Sequence, residues 1–194
     1  MTAMACDAAD LAKWGAYLKG HFLLTTGRHS DQFLLLARLT EYPSAVAPWA
    51  DQLARQLEPY QAFTVVGPAV GGIIPAFAVA SRWHDSRVLF AEKTDDGTMQ
   101  FKRGFRLTPG ERVVVVEDVV TTGSSVDKVI AAVNSNGGQV VAVGALVDRG
   151  QEKPHWTKRG YEAVFRFPAG SVPSWDPSEC PLCQENIPLT RPKA

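Results

Sequence analysis

Apolar positions along the chain follow two regimes. In residues 7–18, Leu11, Trp14 and Leu18 recur at helical spacing behind Asp7, a good N-cap, so a helix is expected through Gly15 until Gly20 stops it. In residues 21–39, Phe22, Leu23 and Leu24, then Phe33 to Leu36, flank the polar stretch TTGRHSDQ. That pattern predicts a strand pair, or hood, joined by a Gly-containing loop. Residues 43–57 read as a second amphipathic helix closed by Pro59, with Pro48 implying a kink or a later start.

Beyond residue 63 the pattern changes. Apolar, β-branched stretches at 63–66, 87–90, 112–116, 140–147 and 162–167 alternate with helical stretches at 73–82 and 125–134. Continuous apolar strands separated by helices predict an α/β fold with a parallel sheet covered on both faces. The Pro-rich residues from 168 onward predict an irregular tail over the surface. With no internal repeat, residues 1–194 are expected to form one domain, with a hood at about 1–40 and a tail at about 168–194.

Composition narrows the function. Lys+Arg and Asp+Glu both count 20, so the formal net charge is zero, and 45% of residues are hydrophobic. The apolar content excludes disorder of the whole chain. Neutral charge argues against nucleic acid or a membrane surface as a partner held by bulk attraction, so an anionic ligand must be captured by local geometry. The longest apolar stretch, 65–80, is broken by Gly67, Pro68, Gly71, Gly72 and Pro75, and falls short of the roughly 18 residues of a spanning helix. Three cysteines and an acidic N-terminus predict a cytoplasmic protein without a disulfide framework.

The chemistry concentrates in VVVVEDVVTTGSS, residues 113–125. A buried strand runs into Glu117 and Asp118, then Val119, Val120, Thr121, Thr122, Gly123, Ser124 and Ser125 lead into a helix. Small residues at the carboxyl end of a strand present N–H groups and hydroxyls to an anion, and the helix N-terminus favours negative charge. The adjacent carboxylates would repel a phosphate but can accept hydrogen bonds from a ribose diol. Together they describe a grip for a ribose 5-phosphate. In Gly67-Pro68-Ala69-Val70-Gly71-Gly72, paired glycines before a helix allow close backbone approach to a second oxyanion.

This string resembles the phosphoribosyl diphosphate (PRPP) signature of type I phosphoribosyltransferases. With GHFLLTTGRHSDQF, VVGPAVGGIIPAFAVA, ALVDRG and CPLCQENIPL, the chain is similar over nearly its full length to the bacterial orotate phosphoribosyltransferases. The resemblance implies a type I phosphoribosyltransferase-like parallel sheet flanked by helices, with a small N-terminal hood. It also implies PRPP and orotate as substrates, orotidine 5-phosphate and pyrophosphate as products, Mg²⁺ as cofactor and a homodimer with shared active sites. It assigns the ribose hydroxyls to Glu117 and Asp118, the 5-phosphate to residues 121–125, and pyrophosphate to Pro68, Ala69, Val70, Gly71 and Gly72. Orotate falls to Arg149 and Thr121, and Lys93 becomes a catalytic, PRPP-contacting lysine of a mobile loop at residues 91–106.

Departures from the pattern keep other readings open: another base, purine or uracil, or a non-catalytic PRPP-sensing regulator. Glu92 stands at a usual arginine position, Asp95-Asp96-Gly97 near a missing Lys-x-His-Gly, and Thr25 where a base-contacting lysine is common. Lys102 and Arg103 are candidates to restore the cationic function. Ser124 replaces a usual second glycine, which would strain the loop if that position needed a positive φ. His29 is an acid–base candidate, against the commoner reading of a lone loop histidine as solvated or structural. Cys180-x2-Cys183 could form half of a tetrahedral zinc site, with Cys6, His155 or a symmetry-related pair as candidates for the rest. A metal-free structural tail is the expectation.

Overall fold

The computed structural model describes residues 5–150 and 154–192. Its centre is a six-stranded sheet, built from β3 (Thr64–Pro68), β4 (Arg87–Lys93), β5 (Met99–Phe101), β6 (Arg112–Val120), β7 (Gln139–Asp148) and β8 (Tyr161–Arg166). The order is β5-β4-β3-β6-β7-β8, parallel throughout except for the edge strand β5, which runs antiparallel to β4. The five strands expected from the pattern are all present, and β5 is an addition within the stretch read as a mobile loop.

The valine run of β6 explains how both faces become core. Strand side chains alternate between faces. Val114 and Val116 pack with the helices α3 (Pro43–Leu57) and α4 (Ile73–Ala80), whereas Val113 and Val115 pack with α5 (Ser124–Ser135). All four valines are fully buried. Helix α3 spans the expected residues and continues through Pro48, with Trp49, Leu53 and Leu57 turned inward.

The N-terminal helix is shorter than its periodicity predicts. Helix α1 covers Ala8–Lys13, capped by the Asp7 carboxylate, which accepts hydrogen bonds from the N–H groups of Ala9 and Asp10. Gly15 then adopts φ +69°, and the chain enters β1 (Tyr17–Leu23), so Leu18 sits on a strand opposite Phe33 of β2 (His29–Leu34). The β1–β2 hairpin is the expected hood; the short helix α2 (Ala37–Thr40) links it to α3.

The tail is more ordered than expected. His29 and Trp175 exchange backbone hydrogen bonds at 2.8 Å, Thr190 N–H donates to His21 O, and Leu23 N–H donates to Thr190 O. A short helix, α6 (Pro181–Gln184), lies between these attachments. The tail is thereby stitched along both hood strands. Among the described residues, no helix is long and apolar enough to cross a membrane.

Candidate active site

Strand order locates the site before any side chain is considered. The chain goes from β3 outward to β4 and β5, then crosses back to the other side of β3 with β6. That reversal leaves a crevice beyond the carboxyl ends of β3 and β6, where open α/β sheets bind ligands. The two candidate phosphate loops emerge there, side by side.

Strand β6 runs further than expected, to Val120, so the acids lie on the strand itself. Alternation sends Glu117 into the interior, 6% exposed, and leaves Asp118 half-buried. Burial first, then the neighbouring charge of Asp118, pushes the Glu117 carboxyl well above its ordinary pKa. The Asp118 carboxylate accepts from Val119 N–H at 2.7 Å and faces Gly71, where a Cβ would stand 2.8 Å from Oδ2. Gly71 therefore permits direct contact between the acid pair and the pyrophosphate loop.

That loop begins at Pro68, the last residue of β3, and continues through Ala69, Val70, Gly71 and Gly72 to α4. Its Ala69–Val70 peptide is cis. Gly72 N–H donates to Pro68 O at 3.0 Å and closes the turn. Val70 points outward and is 83% exposed, continuing into a ridge with Ile74 and Phe77 of α4.

The second loop turns at Gly123, whose φ is +81° and whose missing Cβ would meet Trp156 at 2.8 Å and Pro154 at 2.9 Å. Gly123 takes the positive φ, and Ser124 begins α5 without it, so the replaced glycine imposes no backbone strain. A small cavity of about 50 Å³ is lined by Thr121, Thr122, Gly123, Ser124 and Ser125, together with Glu117. It opens onto the N-terminus of a 12-residue helix, suited to one phosphate group.

Sheet register sets Arg149 beside this loop. Val120 pairs with Asp148 across β6 and β7, and Arg149 N–H donates to Val120 O at 3.0 Å. Thr121 and Arg149 then share a larger cavity of about 580 Å³. The Arg149 guanidinium is partly buried, which lowers its pKa, and it makes no hydrogen bond or ion pair among the described residues. A desolvated fork of donors facing a cavity is a site for a planar anion.

The far wall of that cavity comes from the hood and tail: Thr25, Arg28 and Ser30, with Pro173 and Ser174. Sequence reasoning did not single out Arg28. Its guanidinium donates to Ser174 O at 2.7 Å and pairs with Asp176 at 3.0 Å. Only its place in TTGRHS, beside the expected hood turn, signalled a role.

Lys93, at the end of β4, is exposed and lines neither cavity. The residues after it form a hairpin turn whose Asp96 carboxylate accepts from Thr94 Oγ1, Thr98 N–H and Thr98 Oγ1, hydrogen bonds that bring its pKa down to about 2. Arg103 does not stand free as a replacement cation, because Glu92 holds it with a two-pronged pair at 2.9 and 3.1 Å. The ligand candidates proposed from sequence for the tail cysteines also lie elsewhere. Cys6 packs against the core, with burial and Asp10 raising its thiol pKa to about 11, and His155 is exposed near Asp127. His21 and His29 approach Cys180 and Cys183 instead.

A sheet with a phosphate cradle and an acid pair at its reversal point, covered by a hood, is the architecture of a type I phosphoribosyltransferase. Residues 37–171 match the family model described as phosphoribosyl transferase domain. The chain is 43% identical over 182 residues to the orotate phosphoribosyltransferase of Thermotoga maritima, covering 94% of each chain. It is 45% identical over 174 residues to that of Caldanaerobacter subterraneus subsp. tengcongensis, covering 90% of this chain and 88% of the other. The solved orotate phosphoribosyltransferase of Aeropyrum pernix has a TM-score of 0.70 at 29% identity, covering 82% of this chain and 93% of that one. The chain belongs to the phosphoribosyltransferase family, in its orotate phosphoribosyltransferase branch.

Proposed function

We propose that this protein transfers the phosphoribosyl group of PRPP to orotate, forming orotidine 5-phosphate and pyrophosphate in pyrimidine synthesis. The observation that carries the reading is the Arg149 guanidinium, without a hydrogen bond or ion pair among the described residues and set by sheet register beside the phosphate cradle. The cradle at 121–125 takes the 5-phosphate, Glu117 and Asp118 take the ribose hydroxyls, and Pro68 to Gly72 take pyrophosphate. Arg149 and Thr121 hold the orotate carboxylate or ring oxygens.

This arrangement positions a ring nitrogen of the base against the anomeric carbon as its bond to pyrophosphate breaks. No covalent protein nucleophile is required, so positioning and charge stabilisation carry the catalysis. Mg²⁺ fits the donor chemistry: the Asp118 carboxylate is a hard oxygen donor beside the pyrophosphate loop. When bound, the ion would neutralise charge on the departing pyrophosphate.

A homodimer completes the site in this reading. The apolar ridge of Val70, Ile74 and Phe77, exposed by 83%, 48% and 63%, adjoins the pyrophosphate loop and supports a partner there. Lys93, outside both cavities, then acts on the neighbouring subunit's site. Free thiols at all three cysteines accord with a cytoplasmic setting. Light scattering should give twice the chain mass. Turnover assays with PRPP and orotate, uracil or adenine should yield pyrophosphate with orotate. Turnover of a purine alone, or PRPP binding without pyrophosphate release on any base, would overturn the assignment.

A further inference from the structure

Away from the catalytic crevice, His21 of β1, His29 of β2, and Cys180 and Cys183 at α6 bring four ligand atoms within 4.8 Å of one another. We propose that these residues form a structural site for a tetrahedral divalent cation of the Zn²⁺ class, clamping the tail to the hood.

The spacing matches that chemistry. Zinc–nitrogen bonds of about 2.0–2.1 Å and zinc–sulfur bonds of about 2.3 Å put tetrahedral ligand atoms roughly 3.3–3.8 Å apart. Cys180 Sγ and Cys183 Sγ lie 3.5 and 3.7 Å from His21 Nε2, and Cys183 Sγ lies 3.3 Å from His29 Nδ1. The two imidazole nitrogens are 3.0 Å apart, close enough for one hydrogen bond in the metal-free protein. Four protein ligands close the coordination sphere, the mark of a structural rather than a catalytic site.

The surroundings orient the ligands as a metal requires. His21 Nδ1 lies 2.7 Å from Ile187 O, a contact that places the proton on Nδ1 and leaves the Nε2 lone pair aimed at the cluster. The bulge between Lys19 and Phe22 turns two consecutive residues, His21 and Phe22, toward the interior. His21, His29 and Cys180 are 2%, 5% and 0% exposed, with Cys183 on the solvent side. Binding takes both cysteines as thiolates, so loading releases their two protons and involves no redox change.

The location gives the site a purpose. His29 stands between Arg28 and Ser30, which line the large cavity, and the tail that carries the cysteines contributes Pro173 and Ser174 to the same wall. A cation here braces the base-binding wall without touching substrate. In this proposal the half-site that Cys180 and Cys183 lack is the histidine pair of the hood, in place of the metal-free tail expected from the sequence.

The full-length protein, expressed with zinc in the medium and desalted, is expected to carry one zinc per chain by elemental analysis. Metal-stripped protein titrated with Co²⁺ should develop tetrahedral visible absorption with a thiolate charge-transfer band. Cys183→Ser, at the outermost ligand, should lower metal affinity by about tenfold or more. His21→Gln supplies a second variant should Cys183→Ser misfold, and Cys6→Ala should retain full loading. The proposal is overturned if natively folded protein, judged by circular dichroism, binds no zinc and gives no thiolate band with Co²⁺. Full zinc affinity in both folded ligand variants would overturn it equally.

Discussion

The two walls of the crevice are assembled in opposite ways. On one side, acid pair and phosphate cradle come from nine consecutive residues, 117–125, carried by one strand and the helix it feeds. On the other, β1 and β2 are joined to tail residues 139 to 166 positions away by hydrogen bonds such as Gln32 to Ser171 O and His21 to Ile187 O. The first wall stands on a sheet whose central valines are fully buried. The second has little core of its own and depends on cross-links. In the proposed function, handling of the phosphoribosyl group falls to the wall built on the buried sheet, and recognition of the base is shared with the wall held by cross-links.

The sharpest way to break this comparison is Arg149→Ala. This side chain directly follows β7 and lines the large cavity, where the proposed function sets the base. Loss of a desolvated charged hydrogen-bonding group of about 3 kcal/mol should lower kcat/KM for orotate by about 100-fold. The KM for PRPP should stay nearly constant. Equal losses for both substrates would show that the walls do not divide the work.

Glu117→Gln probes the rigid wall from the side of stability. The folded protein resists ionising Glu117, whereas the unfolded chain ionises it near the ordinary value of 4.5. As pH rises above that value, the unfolded state loses its proton first, and folding stability falls until the folded-state pKa is passed. Glu117→Gln should abolish this decline and raise stability at neutral pH. PRPP affinity should fall about tenfold, because the amide nitrogen of Gln cannot accept from a ribose hydroxyl as the second carboxyl oxygen of Glu117 can. Melting temperature against pH for both proteins, with PRPP titrations, tests the two halves separately.

The same contrast explains how much could be read from the sequence. The five parallel strands and α3 were legible because their apolar periods are local, and the strand end, loop and helix start at 117–125 because those residues are contiguous. Helix α1 was overextended because Leu18 keeps helical spacing, while the positive φ of Gly15 had already turned the chain into β1. The direct contact of Asp118 with Gly71 was hidden, since it depends on β3 and β6 being neighbours. The histidine partners of Cys180 and Cys183 were hidden for a related reason: 159 and 162 positions separate His21 from the two cysteines, and no local pattern spans that distance.

Arg28→Ala tests the adjustable wall. It removes the hydrogen bonds to Ser174 Oγ and O and the ion pair with Asp176, joining the hood turn to the tail. The pair is partly exposed, so solvent screens it and the loss is smaller than at Arg149. Orotate KM should rise by up to about tenfold, with kcat and PRPP KM little changed. A large drop in kcat would instead tie this wall to the chemical step.

The smallest effect is expected at the Glu92–Arg103 pair, which belongs to neither wall. Its two hydrogen bonds are well formed, and the interaction lowers the Glu92 pKa while raising that of Arg103. Both side chains reach solvent, however, where an ion pair is screened and ordering two long side chains offsets most of the attraction. Glu92→Gln should therefore leave thermal stability almost unchanged and alter turnover by less than about twofold at physiological salt. At low salt the freed Arg103 should raise the association rate of PRPP, an effect that fades as ionic strength increases. A large, salt-independent loss of kcat would place Glu92 inside the closed active site and make the hairpin a third working wall.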